Sequence, residues 1–252
     1  MSNTLNCSQS EWDIRVELAA LYRLAAHYGW TDLTSTHVSA RLTADPDHYL
    51  LNSHDLMFEE ITASNLTRMS FEDGTAVDDS AGSGKIVNLA GHIIHSGILN
   101  ARPEINYVIH SHTRAGVAVS AMPGGLQPLS QHAGFVHGTI SSHPFQDSTA
   151  VADEGAILAD DLAQNFCMLL QNHGLLVVGR TAAEAFIYHY YLEMACKIQV
   201  DILGGTDDPV EIDGEAMESL HDWGSPANGP QGGIQWPSLL RMLDRTVPEF
   251  RT

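Results

Sequence analysis

The sequence predicts an α/β protein, and three observations carry that expectation. Apolar residues recur at helical spacing over 10–29, 88–100 and 181–203. Between these stretches lie short alternating or apolar runs at 36–42, 48–52, 107–109 and 166–178, which suit strands. Two of those runs end in histidines, at His110-Ser111-His112 and at Asn172-His173-Gly174. The 252 residues are enough to bury a full core, and no internal repeat divides them.

The first helix runs from Ser10, its expected N-cap, through Leu18, Leu21, Tyr22 and Ala25 to Gly29. Thr36–Leu42 alternates as a strand, and Asp45-Pro46-Asp47 turns it into a second strand at His48–Asn52, a hairpin signal. Phe58–Leu66 reads as a short helical connection, and Thr67–Phe71 as a strand leading through Glu72-Asp73-Gly74-Thr75 to Ala76-Val77-Asp78. Asn88–Asn100 is a helix stopped by Arg102-Pro103, which feeds the strand of His110. Arg114–Met122 follows as a small apolar helix, and 128–145 holds several short strand-like pieces, with His137 and His143 as strand or turn residues. Ser148–Gln164 reads as a surface helix with its acids outward, and 169–178 as a hairpin. The helix from Thr181 reaches Leu203. Residues 1–204 are therefore read as one domain, and 205–252 as an acidic, Gly/Pro-rich arm that ends in a short helix at Trp236–Arg245.

Composition narrows the partners. Thirty-one acids against 12 bases give a formal charge of −19, which argues against nucleic acid or an anionic membrane. The acids come in dispersed pairs such as Asp78-Asp79, a solubilising surface and not a binding tail. No run approaches the ~20 apolar residues of a membrane span. Met1–Asn6 lacks the basic and apolar regions of a signal peptide. Cys7, Cys167 and Cys196 cannot all pair and fit no zinc spacing, so a cytoplasmic location is expected.

In a strand, residues two apart share a face, so His110 and His112 can hold one ion together. His173 closes a second apolar run, and Gly174 lets the backbone come near. Three imidazoles from two strand ends suit a catalytic metal with an open position.

The strand ending in His-Ser-His, the segment Asn172–Ala185 and the helix closing on Arg102-Pro103 together resemble the class II aldolase/adducin family over about residues 13–203. That resemblance implies a three-layer α/β/α fold with a largely antiparallel central sheet, and a homotetramer whose active sites lie between subunits. It also implies a divalent ion on His110, His112 and His173, zinc first as in the sugar-phosphate aldolases, with manganese or iron as alternatives. Thr36–Ser39, Val87–His95 and Leu239–Arg245 are similar to the adducin-like branch.

Two departures from the aldolases bear on chemistry. Their acid/base glutamate falls on Gly91, and their phosphate-holding residues fall on Thr36-His37, His54-Asp55 and Leu89-Ala90. A sugar phosphate is thus a poor substrate. For the missing acid/base the sequence offers His92, beside the vacated position, and His132, near the place of an aldolase tyrosine; an imidazole both takes and gives a proton near neutrality. Arg114 would hold a substrate carboxylate bidentately, and His37 would line the entrance. His95 and Glu193 stand behind these, Glu193 as an acceptor that sets a ligand tautomer or simply as a solvated helix residue.

The function expected is a metal-dependent lyase that cleaves a carbon–carbon bond, by decarboxylation or retro-aldol chemistry, in a small non-phosphorylated acid, aromatic acids included. A non-heme iron oxygenase is an alternative on the same ligands. A non-catalytic oligomeric interaction module, as in adducin, is another.

Overall fold

The structure, a computed structural model, describes residue 5 and residues 7–77, 85–146 and 153–252. Helix α1 (Gln9–Tyr28) is capped by the Ser8 hydroxyl, which accepts from Glu11 N at 3.2 Å, two residues before the expected Ser10. Gly29 ends it in the left-handed conformation, φ 71°, at little steric cost. The hairpin forms as expected from β1 (His37–Arg41) and β2 (His48–Leu51). The helical connection shrinks to one 3₁₀ turn at Phe58–Glu60 before β3 (Thr67–Ser70). Past it, Ala76 bridges back to Met69; Asp78 and Asp79 lie outside the described residues.

Asn88 caps α2 (Leu89–Ala101) by accepting from Gly91 N at 3.0 Å. Strand β4 (Tyr107–Ser111) follows, and Thr113 then caps α3 (Arg114–Ser120). The strand-like pieces expected over 128–145 are instead a helix, α4 (Gln131–His137), followed by β5 (Ile140–His143). Ser130 decides this by capping Ala133 N at 3.1 Å, which turns a run of small and apolar residues into a helical face. The surface helix is α5 (Glu154–Leu162); residues 148–152 lie outside the described ones, and Glu154 is buried, not outward. Strands β6 (Cys167–Leu170) and β7 (Gly174–Gly179) form the expected hairpin, and Thr181 caps α6 (Ala182–Leu203).

The seven strands of the described residues form one sheet in the order β3-β2-β1-β4-β7-β6-β5, antiparallel throughout except for the β5–β6 pair. Helices flank both faces. On one, Val38, Ala40, Leu50 and Ile109 pack against Leu18 and Leu21 of α1. On the other, Tyr49, Leu51 and Val108 meet Ile94 and Ile98 of α2, Val119 of α3 and Leu158 of α5. The alternation of strand side chains assigns His37, Ser39 and His110 to this second face. Register completes the placement, since His37 pairs with His110 and Ser39 with Val108.

The C-terminal stretch is not a free arm along its whole length. It contains α7 (Gly214–Gly224), and α8 (Trp236–Thr246) closes against α1. Leu220 of α7 lies over Gly134 of α4, where a Cβ would come within 2.6 Å of it. The Tyr188 hydroxyl donates to Gly224 O at 2.7 Å. The Gly/Pro composition that suggested a linker instead supplies turns on either side of α7. No helix among the described residues is long and apolar enough to cross a membrane.

Candidate metal centre

Three imidazoles meet where β4 ends and the β6–β7 turn begins. His110 Nε2 lies 2.8 Å from His112 Nε2, which lies 2.9 Å from His173 Nε2. Gly174 permits the approach, because a Cβ there would stand 2.2 Å from Ser111 O. The outer nitrogens fix the tautomers. His110 Nδ1 donates to Leu175 O at 3.0 Å, and His112 Nδ1 to Asp32 Oδ2 at 3.0 Å. With the hydrogens on Nδ1, the Nε2 atoms of His110 and His112 face each other as lone pairs. A divalent cation between these nitrogens would satisfy both lone pairs, so the donor set fits a divalent metal. Tetrahedral zinc needs N···N spacings of roughly 3.3 Å, within reach of small ring movements.

Burial acts in the same direction. Desolvation, with neighbouring imidazoles, holds His110 well below its ordinary value. His173 is lowered to about 4, by burial first and then by His112 and His143. Both therefore stay neutral, as ligands must be.

The other predicted residues are distributed unevenly. His37, expected only at the entrance, is nearly enclosed and its ring centroid stands 5.0 Å from that of His110. It fills the space beside Gly91, where a Cβ would come 3.0 Å from His37 Cδ2. His95 stands behind it, fully buried, with Nε2 2.7 Å from His37 Nδ1 and Nδ1 bonded to the Ser39 hydroxyl. His92 turns away from this chain: its Nδ1 bonds the Tyr49 hydroxyl at 2.9 Å and its ring covers Gly74. His132 packs on Tyr191, ring centroids 5.9 Å apart, and no described hydrogen bond or ring contact joins it to the triad. Arg114 is exposed at the start of α3 and makes no ion pair among the described residues.

Glu193 takes no bond from a ligand histidine. It accepts from the Thr113 hydroxyl and pairs with Lys197 Nζ at 3.1 Å, so it anchors the residue after His112. Its α6 position reaches the N-cap of α3 and not the ligand rings; desolvation raises its pKa. The carboxylate that orients His112 is Asp32, and sequence reasoning missed it because no spacing links the loop after Gly29 to His112. His189 was also missed. Its Nε2 bonds the Ser111 hydroxyl at 2.8 Å from the opposite face, so the end of β4 is held on both sides. A cavity of about 770 Å³ lined by Phe135, Tyr191 and Trp223 shares no residue with the triad.

The buried imidazoles imply acid sensitivity. Burial lowers His189 to about 3, and His37 and His95 shift the same way. An unfolded chain protonates these groups near 6.5, so their contribution is complete above pH 6.5 and is lost as pH falls towards 3. One fully buried imidazole gives a slope of roughly 1 kcal/mol per pH unit. Urea unfolding of metal-free protein should therefore show a lower midpoint at pH 5.5 than at pH 7.5. Equal midpoints would refute the assignment of neutral buried imidazoles.

Sheet and site together define an α/β protein with a three-histidine centre at the end of a mostly antiparallel sheet. The family model described as "Class II Aldolase and Adducin N-terminal domain" matches residues 16–200. A protein of Caulobacter vibrioides named for aldolase class 2 is 39% identical over 244 residues, covering 96% of this chain and 93% of that one. The structure of L-fuculose 1-phosphate aldolase from Glaciozyma antarctica has a TM-score of 0.84 at 27% identity, covering 100% of this chain and 97% of that one. Rat alpha-adducin is 34% identical, with 96% of this chain matched to 34% of the longer protein. The chain belongs to the class II aldolase and adducin family.

Proposed function

We propose that this protein is a divalent-metal-dependent carbon–carbon lyase, of decarboxylase or retro-aldol type, acting on a non-phosphorylated hydroxy or keto acid, aromatic acids included. The observation that carries this is the convergent His110, His112 and His173 set with two tautomers fixed, beside a His37 ring that fills the space at Gly91. Zinc is the preferred ion, manganese or iron the alternatives.

A divalent ion on these ligands would supply Lewis-acid polarisation of a substrate carbonyl or carboxylate oxygen. The chain does the rest. Leu175 O and Asp32 keep two ligand nitrogens free of protons. Arg114, two residues past His112, offers a fork to a substrate carboxylate. His37 exchanges a proton with the carbon left by bond cleavage, with its ring held by His95, which Ser39 holds in turn. Loss of a carboxyl group needs no base to remove a hydroxyl proton, which suits a site with glycine at position 91.

The match to alpha-adducin supports a second reading, a non-catalytic interaction module. A module of that kind has no need of three ligands, two of them with partners, and this chain keeps them. We also take the assembly to be a homotetramer in the cytoplasm, in line with the family resemblance and with Cys7, Cys167 and Cys196 forming no disulfide.

Elemental analysis of protein purified without chelator, followed by assay of carbon dioxide or aldehyde release from a panel of such acids, tests the reading. Stoichiometric zinc with turnover supports the lyase. Stoichiometric iron with oxygen uptake selects the oxygenase, and absence of any metal selects the module. Light scattering of the same preparation checks the tetramer, which a monomer at micromolar concentration would rule out.

A further inference from the structure

His143 plays no part in the reading above, yet it is built like a functional group. It ends β5 beside Leu170, the last residue of β6, with which it pairs in parallel register. Gln171 N donates to His143 O at 2.9 Å, and His173 N donates to Leu170 O at 3.0 Å. The same short turn therefore brings the metal ligand His173 alongside His143. The His143 side chain is 3% exposed, and its Nδ1 lies 2.7 Å from Asp161 Oδ2.

A carboxylate only accepts, so His143 Nδ1 carries a hydrogen, and in the neutral ring Nε2 is then a lone pair. That Nε2 is buried and has no partner among the described residues, and the same holds for Gln146 Oε1. Both side chains line a cavity of about 10 Å³ together with His173 and the buried Glu154 carboxylate. A space of that size holds about one water molecule, provided two to four polar partners surround it. His173 is also the one ligand of the three whose Nδ1 has no partner among the described residues, whereas His110 and His112 have Leu175 O and Asp32.

We propose that one water molecule occupies this cavity and that the Asp161–His143 pair acts through it as a positioning device for the ligand His173. The hydrogens balance. Water donates one hydrogen to His143 Nε2 and the other to Gln146 Oε1, and its oxygen accepts from His173 Nδ1–H. The His143 and Gln146 acceptors each gain a partner, and His173 Nε2 is left as a lone pair that a metal on His110 and His112 would use. Partners of this kind typically tune metal affinity 10–100-fold. The inference rests on the assignment of His173 as a metal ligand.

Zinc affinity of the full chain, measured by competition with a chromogenic chelator, tests it. His143→Asn keeps a donor near Asp161 and removes the acceptor at Nε2, so zinc binding should weaken 10–100-fold. His143→Gln places an amide oxygen near the position of Nε2 and should restore most of the loss. The melting temperature of the metal-free variants should match that of the wild type, which separates positioning from a general loss of packing. Wild-type zinc affinity in His143→Asn, or equal weakening in both variants, overturns the proposal. If the variants fail to fold, a high-resolution crystal structure of the wild type decides, because a dry cavity at His143 Nε2 also overturns it. His173→Ala is the control: retention of zinc there refutes the metal site itself and not only its positioning by His143.

Discussion

Zinc binding is expected to weaken by well over ~100-fold when His173 is replaced by alanine, more than an outer partner of a ligand costs. The imidazole contributes its lone pair directly, and no other described histidine, cysteine or acid groups with His110 and His112 to replace it. His173 is also the cleanest of the three to remove, since it is only partly buried and sits in a turn, whereas His110 is enclosed in β4. His110→Ala and His112→Ala should release the ion as well. His110→Ala will carry an added stability cost, because it leaves a hole beside His37 and removes the bond to Leu175 O. Elemental analysis after gel filtration, with circular dichroism to confirm the fold, reads both effects. If all three variants keep stoichiometric zinc, the centre is elsewhere.

The second large effect concerns the proton. His37→Ala should lower turnover on an identified substrate by about 10²–10⁴, the usual range for a general acid or base, with zinc content unchanged. The reason is position: the His37 ring is the imidazole found against both Gly91 and His110, and it is held from behind by His95. His95→Ala should show a smaller loss, because it removes the support and not the group itself. His92→Ala and His132→Ala belong in the same series, since the sequence alone points to them. Wild-type turnover in His37→Ala with a collapse in either of the others would return the role to that residue. In the case of His132 it would also mean that a neighbouring subunit completes the site, because no described contact joins it to the triad of its own chain.

The two outcomes differ in what the sequence could foresee. Helices α1, α2 and α6 were legible because a period of 3.6 and a stop signal coincide in each, at Gly29, Arg102-Pro103 and Gly204. The hairpins at 37–51 and 167–179 were legible from alternation around short turns. Helix α4 was not, because seven residues carry too little periodicity, and its cap and the covering Leu220 decide the matter. The helix within 205–236 was not legible for a related reason: composition reports the turns but not the surface that α7 finds on α4.

The sequence by itself brought out the candidate ligands, because the two-residue repeat at a strand end turns His110 and His112 towards the same side. It also determined that position 91 carries no carboxylate. Only the tertiary structure decided what stands there instead. β1 pairs with β4 and brings His37 opposite His110 across 73 residues of chain, and the loop after Gly29 brings Asp32 to His112 across 80. Neither meeting leaves a periodic trace, since each depends on strand register and loop path, which are set by the burial of both sheet faces at once.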